Sequence, residues 1–434
     1  MLRTVKTQHI SNPERFKKQL LLWSGQFDEV VWLDSNNYNQ KYTSYDAVLA
    51  VDAFTVFQTD YYDAFNQLKE YQTTTNDWIF GYLSYDLKND VEQLSSNNFD
   101  GLQFPELFFF QPKKLFFLKG NVLETHYLNL VVDELKEDVD SISQTEIEDE
   151  KEELSEENNI KIKLRIHKDE YFSKVNEMLA HMHRGDIYEA NFCQEFYAED
   201  TTINPIETYQ KLNAISKPPL ASFLRVYDKY LLSASPERYI KKEGLKITSQ
   251  PIKGTAKRSL DKVEDEQLIK TLSEDIKERS ENIMIVDLVR NDLSKTATKG
   301  SVNVEELCKV YTFDQVHQMV STVTSTVNKS THPVDIIKTT FPMGSMTGAP
   351  KISAMQIIEE LEATKRGLYS GAVGYFSPND DFDFNVVIRS ILYNETNKYV
   401  SYSVGGAITA KSDPLKEYEE CLIKAKAMRT VLEN

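Results

Sequence analysis

The chain is poor in the residues from which disulfide frameworks, zinc clusters and membrane spans are built. Its 434 residues include only three cysteines, Cys193, Cys308 and Cys421. Their odd number and wide separation argue against a disulfide framework or a Cys-based zinc site and fit a reducing compartment. No apolar run approaches the roughly 18 residues that a membrane helix needs. The stretch Leu20-Leu-Leu-Trp23 is too short for a signal segment. Positive charge is also scarce, with 50 Lys and Arg against 67 Asp and Glu and a net charge of −17. A nucleic-acid binder needs a basic face, and none is legible. The GxGxxG, HExxH and Gly-x-Ser-x-Gly signatures are missing as well. The expectation is a cytoplasmic protein with no nucleic-acid or membrane partner.

Apolar material is ample, at 41% hydrophobic and 11% aromatic residues, enough for one large or two medium domains. The acidity is concentrated. Between Asp133 and Asn159 stand 13 acidic and 2 basic residues, a composition that cannot bury enough apolar surface to offset its ordering entropy. It divides the chain into an N-terminal region, 1–132, an acidic mobile linker, 133–159, and a larger region, 160–434. Short aromatic and β-branched runs such as Val30–Leu33, Trp78–Tyr85, Leu107–Phe110 and Leu115–Leu118 read as strands in the first region.

In the larger region, helical spacing of Tyr171, Val175, Met178 and Met182 predicts a helix. A long helical run is expected from Val263 to about Val289, and another at 351–363. Three strands at 371–376, 384–393 and 399–408 read as an antiparallel meander. A last helix should follow Asp413-Pro414, with Asp as cap and Pro in the first turn. Blocks of strands and helices without strict alternation predict an α+β fold, with mostly antiparallel sheets in a sandwich-like core and helices packed outside.

The stretch most suggestive of chemistry is Ser249-Gln-Pro-Ile-Lys-Gly-Thr-Ala-Lys-Arg258. Pro251 and Gly254 can fix Lys253 as a positioned amine rather than a solvated tail. Burial, or the nearby Lys257 and Arg258, would lower its pKa toward a nucleophilic free amine, whereas a surface turn would leave it protonated. Glu278 and Glu281, then Glu417 and Glu420, are carboxylates spaced three apart on helices, with Lys424 on the latter face. If the helices converge, these oxygens suit Mg²⁺; if not, they are ordinary solvated faces. Arg389 lies in an apolar strand and needs an anionic partner, either a buried carboxylate or a substrate. Gly405-Gly406, at the end of the next strand, and the segment Met343–Lys351 would leave N–H groups open to an anion. Glu237, at a strand end, is the candidate acid.

Together the stretches GDIYEANF (185–192), SASPER (233–238), PIKGT (251–255), ERSENIMIVDLVRNDL (278–293), GSMTGAPK (344–351), SGAVGYF (370–376), VVIRS (386–390) and GGAITAKSDPLKEYEE (405–420) resemble the chorismate-utilising enzymes. The likeness is strongest to their aminodeoxychorismate synthase component I branch. It covers over half the chain, and Gly81–Asp86 is its clearest echo in the N-terminal half. The resemblance implies an anthranilate synthase component I-like fold. It also implies Mg²⁺ bridging the ring carboxylate of chorismate to Glu281 and Glu420, with Glu278 and Glu417 close by. Arg389, Tyr375, Ser345, Thr255, Lys424 and the Gly405-Gly406 backbone would bind substrate. Glu237 would protonate the departing 4-hydroxyl, and Lys253 would add at ring carbon 2 before ammonia replaces it by attack at carbon 4. Ammonia would come from a separate glutamine amidotransferase subunit.

Lys253 separates this branch from anthranilate synthases, which usually carry alanine there. Anthranilate synthase component I and a non-catalytic chorismate-binding relative are the alternatives. Two departures stand out. Many relatives read Tyr-Gln-Val-Asn where this chain reads Tyr188-Glu-Ala-Asn191, so the role of Glu189 is open. It is not the water-activating lysine of isochorismate synthases. Gln318 occupies the slot of a histidine that anthranilate synthases tie to pyruvate loss, and His317 stands one place earlier.

Overall fold

The computed structural model describes residues 2–38, 41–147 and 160–433. Among them are 20 strands and 11 α-helices, with the strands linked into one sheet system. Its ladders are antiparallel, including the long pairing of Tyr399–Thr409 with Glu189–Ala198. Successive side chains of a strand point to opposite faces. Accordingly Val30, Phe223 and Leu232 join one core, while their neighbours Val31, Leu224 and Leu231 join another. The first core holds the helices Pro13–Ser24, Lys168–Arg184, Pro205–Ser216 and Pro414–Glu433 against the sheet. The second is filled by Phe80, Phe109, Val373 and Phe384 of the sheet together with Phe65, Val286 and Ile337 of the helices Ala64–Thr75, Ile276–Ser294 and Pro333–Thr340. This is the α+β sandwich with outer helices that the patterning implied.

The acidic segment behaves differently from the expectation over its first part. Leu135–Gln144 is an α-helix that buries Leu135 and Ile142. Two apolar side chains at i and i+7 give even this charged stretch a face to pack. The rest of the expected linker, from Glu148 to Asn159, lies outside the described residues. The N-terminal region also does not carry a separate sheet. Glu29–Asp34 pairs with Leu220–Val226, and Ile79–Leu83 pairs with Ala372–Phe376.

Two other breaks matter for the site. The long run expected from 263 is two helices, Lys262–Glu274 and Ile276–Ser294. Asp275 separates them with extended backbone, and its carboxylate caps the second by accepting from the Glu278 N–H at 2.9 Å. The strand expected over 384–393 is likewise two, Phe382–Val386 and Ser390–Asn394. Arg389 sits in the gap with φ +54°, a left-handed conformation that costs a non-glycine residue and turns its side chain out of the regular alternation.

Candidate active site

The last helix shows how packing aims the chemistry. Tyr418, Cys421, Ala425, Met428 and Leu432 are buried at three- and four-residue intervals. Each large apolar side chain removed from water contributes about 1.5–3 kcal/mol, which fixes the helix's rotation. Glu417, Glu420 and Lys424 are thereby held against Gly405-Gly406. A Cβ at Gly406 would lie 3.2 Å from Glu417 Oε2 and 3.7 Å from Glu420 Oε1, so a larger residue would press on Glu417. Lys424 Nζ pairs with Glu420 Oε1 at 2.6 Å and donates to the Gly405 carbonyl at 2.7 Å. Gly405 and Gly406 do not end their strand as expected. They lie inside it, opposite Cys193 and Phe192, because the sheet continues to Thr409.

Glu278 and Glu281 approach the same place from the capped helix. The charges of the two pairs reach each other, Glu420 acting on Glu278 and Glu281 on Glu417. Burial, then the charge of Glu281, pushes the Glu278 carboxyl up. Burial also raises Glu417, with Glu420 adding to it. Burial would raise Glu420, but Lys424, Lys277 and Lys253 together hold it low. Glu281 is buried, and its Oε1 has no hydrogen-bond partner. Lys277 Nζ stands 3.7 Å from both Glu281 Oε1 and Glu417 Oε1. Among the described residues no three acidic, His or Cys side chains are grouped so that they could hold a metal ion between them. Mg²⁺ asks less than a cage, commonly one or two carboxylates plus substrate oxygens and water.

Lys253 faces this acidic wall from the strand Ile252–Lys257. Gly254 has φ +90°, and a Cβ there would meet Glu278 Oε2 at 3.1 Å, so the turn beside the lysine needs glycine. The Lys253 side chain is 15% exposed, and its Nζ lies 3.7 Å from Glu189 Oε1. Burial opposes its charge, but Glu189, Glu281, Glu237 and Glu420 prevail and hold the amine above its ordinary value. The expected lowering by neighbouring cations is therefore not seen. Lys257 is exposed, and Arg258 is paired with Asp265 at 2.9 Å.

Glu237 is buried, and desolvation pushes its carboxyl up to about 7, against a hydrogen bond with Ser345 and the charge of Lys253. Glu237 and Ser345 also line a cavity with Val289, Asp292, Thr340 and Met343. Arg389 forms no ion pair among the described residues. Its Nη1 donates to the Lys424 carbonyl at 3.4 Å, and burial lowers its pKa. Tyr369 and Glu420 offset this burial only in part.

Tyr375 is not brought to this group. Its ring packs 5.4 Å from that of Trp78 and 5.3 Å from that of Phe80, and its charged neighbours are Asp383 and Arg238. The tyrosine beside Arg389 is Tyr369, whose hydroxyl lies 3.6 Å from Cys193 Sγ. Six residues separate the two tyrosines, and the motif alone did not say which faces the arginine. Thr255 is exposed and pairs with Gln318 across the sheet. Gln318 is buried with an unpartnered Oε1, whereas His317 turns to the other face and bonds Asp265 at 2.9 Å. Lys277 was also missed, although its position four before Glu281 carries the signal of a helix pair.

Buried carboxylates interleaved with Lys253, Lys277 and Lys424, beside an arginine without an ion pair among the described residues, make a polar site of the kind enzymes use for small charged molecules. The chain belongs to the chorismate binding enzyme family, which matches residues 28–430. It is 35% identical over 364 residues to an anthranilate synthase component I-like protein of Synechocystis, covering 82% of this chain and 72% of that one. It is 40% identical over 265 residues to aminodeoxychorismate synthase component 1 of Salmonella typhimurium. That match covers 61% of this chain and 58% of the relative. The fold is also that of anthranilate synthase component I from Streptococcus pneumoniae, with a TM-score of 0.76 at 25% identity over 90% of this chain and 94% of that one. No helix among the described residues is long and apolar enough to cross a membrane.

Proposed function

We propose that the chain is an aminodeoxychorismate synthase component, replacing the 4-hydroxyl of chorismate with ammonia to give 4-amino-4-deoxychorismate for para-aminobenzoate and folate synthesis. The observation that carries this reading is Lys253, an amine facing the acidic wall in a site whose buried acid, Glu237, titrates near neutrality.

Arg389 and Lys424 bind the substrate carboxylates, since Arg389 has no carboxylate partner of its own. Lys253, once deprotonated, adds its lone pair to ring carbon 2. The ring double bonds shift, the C4–O bond breaks, and Glu237 gives its proton so that the hydroxyl leaves as water. Ammonia then adds at carbon 4, the double bonds shift back, and the C2–N bond breaks to return the Lys253 amine.

Mg²⁺ fits Glu281 and Glu420, with Glu278 and Glu417 beside them. Glu281 Oε1 has no hydrogen bond and shares the half-exposed Lys277 with Glu417, so a divalent ion there would meet carboxylates that are only loosely neutralised. Bound there, it would neutralise the charge between these groups and a substrate carboxylate. The place of action is the cytoplasm, and the ammonia comes from a separate glutamine amidotransferase subunit.

Incubation with chorismate, Mg²⁺ and ammonium, followed by product identification, tests the reading. 4-Amino-4-deoxychorismate is expected. Anthranilate would assign the chain to the other branch, and unchanged chorismate would mark a binding relative.

A further inference from the structure

We propose that Glu189 is the general base that takes the proton from Lys253 and so makes it a nucleophile. The proposal rests on the reading of Lys253 given above. It begins from a difficulty in that reading: an ammonium among carboxylates has no free lone pair.

The candidates for accepting its proton are the groups that face it, Glu189, Glu281, Glu237 and Glu420. Three already have work to do. Glu237 must carry a proton to the leaving hydroxyl, and Glu281 and Glu420 are the expected cation ligands. Among the described residues, Glu189 is also the ion-pair partner within reach, with Oε1 at 3.7 Å from Nζ. Its side chain is 2% exposed, and its second oxygen, Oε2, is buried without any hydrogen-bond partner. A buried carboxylate left half unsatisfied is costly as an anion and much less so as a neutral acid.

The position is rigid. Glu189 begins the strand Glu189–Ala198, paired on one side with Thr409 and on the other with Ala349. A Cβ at Gly348 would fall 2.1 Å from the Glu189 carbonyl, so the flanking strand can close only because glycine is there. The carboxylate is thus presented to the lysine from a fixed backbone.

When substrate excludes water, a charged pair at this depth is disfavoured relative to a neutral amine and acid. One proton passes from Lys253 Nζ to Glu189. The amine then attacks carbon 2, forming a secondary ammonium that keeps its two protons. Ammonia expels it as the neutral amine, and Glu189 returns the stored proton. The proton count closes when the ammonium formed at carbon 4 gives one proton back to Glu237. Glutamine, which many relatives carry at this slot, cannot accept the proton.

The test follows lysine adduct formation by mass spectrometry, with chorismate and Mg²⁺ but no ammonia, between about pH 6 and 9.5. Wild type should form adduct at a rate that shows only the Glu237 limb, falling as pH rises through about 7. Glu189→Gln should be about 10²-fold slower at pH 7, within the usual range for a lost general base. Its rate relative to wild type should climb about tenfold per pH unit as solvent takes over the deprotonation. Chorismate affinity and thermal unfolding of Glu189→Gln should match wild type. A Glu189→Gln rate and profile equal to wild type, or a loss equal at every pH, would overturn the proposal. Lys253→Ala separates the two levels. If it aminates chorismate normally, or if wild type forms no adduct, the nucleophilic reading of Lys253 itself falls. If Lys253→Ala is inactive while Glu189→Gln is normal, only the role of Glu189 falls.

Discussion

Lys277 reaches from one acidic helix to Glu417 on the other, its Nζ 3.7 Å from Glu417 Oε1 and equally far from Glu281 Oε1. An ammonium therefore stands between the carboxylates where the metal is expected. The Lys277 side chain is 54% exposed, so it can swing into solvent when a divalent ion arrives. Its attraction is worth no more than an exposed pair, about 0.2–1 kcal/mol. Lys277→Met should accordingly tighten Mg²⁺ binding by up to about fivefold, read by calorimetric titration without substrate. Glu281→Gln should weaken it and abolish Mg²⁺-dependent turnover. Unchanged affinity in Lys277→Met, or undiminished activity in Glu281→Gln, would count against this arrangement.

Glu237 sets an alkaline limit. Its carboxyl is raised from 4.5 to about 7 by burial, and only the protonated form can act as acid. The kcat/KM for chorismate, which reports the free enzyme, should fall as pH rises through about 7. Glu237→Gln should lose about 10²–10⁴-fold in kcat, and what remains should lack that limb. Stability carries the same sign. Between 4.5 and about 7 the folded chain binds a proton that the unfolded chain has released. Raising pH through that window costs folding free energy, and Glu237→Gln should remove this part of the dependence. A limb that survives the substitution would assign it to another group.

The sequence made the site residues legible, and their neighbours less so. Glu278, Glu281, Glu417 and Glu420 could be paired in advance because a three-residue spacing shares one helix face. The break at Asp275, where the helix carrying Glu278 and Glu281 starts, was missed by patterning because charged residues continue through it. Arg389 was legible as a cation in an apolar strand. Its left-handed backbone was not, since Val386–Ile388 and Ile391–Tyr393 read as one continuous strand. Tyr375 and Tyr369 flank the same glycines, and only the pairing of Ala372–Phe376 with Ile79–Leu83 shows that Tyr375 turns toward Trp78. The helix at 135–144 was hidden by its charge.

The three thiols bear on the source of ammonia. Cys193, Cys308 and Cys421 are all buried. Burial pushes the Cys193 thiol up to about 12 and raises Cys421 and Cys308 as well. Glutamine hydrolysis by a cysteine needs the opposite, a lowered pKa and an accessible thiolate. The purified chain should use ammonium and leave glutamine untouched, and addition of an amidotransferase subunit should confer glutamine-dependent turnover. Glutaminase activity in the isolated chain, abolished by one Cys→Ser change, would refute this.

Lys253 can be tested against a purely electrostatic role by choosing the replacement. Glu189, Glu281, Glu237 and Glu420 all favour a cation at this place, so Lys253→Arg preserves the charge balance that the pocket is built around. Guanidinium stays protonated and cannot serve as a nucleophile. If charge alone mattered, arginine would largely restore activity, and alanine would fail mainly by weakening substrate binding. If the amine must bond to carbon, both variants should lose aminodeoxychorismate formation while chorismate still binds. In Lys253→Ala the acid Glu237 remains, so direct attack of ammonia at carbon 2 becomes available and the product should shift toward the anthranilate-type amino compound. Chromatographic product analysis of the two variants, alongside chorismate binding by calorimetry, decides between the roles, and wild-type rates in Lys253→Arg would exclude covalent participation.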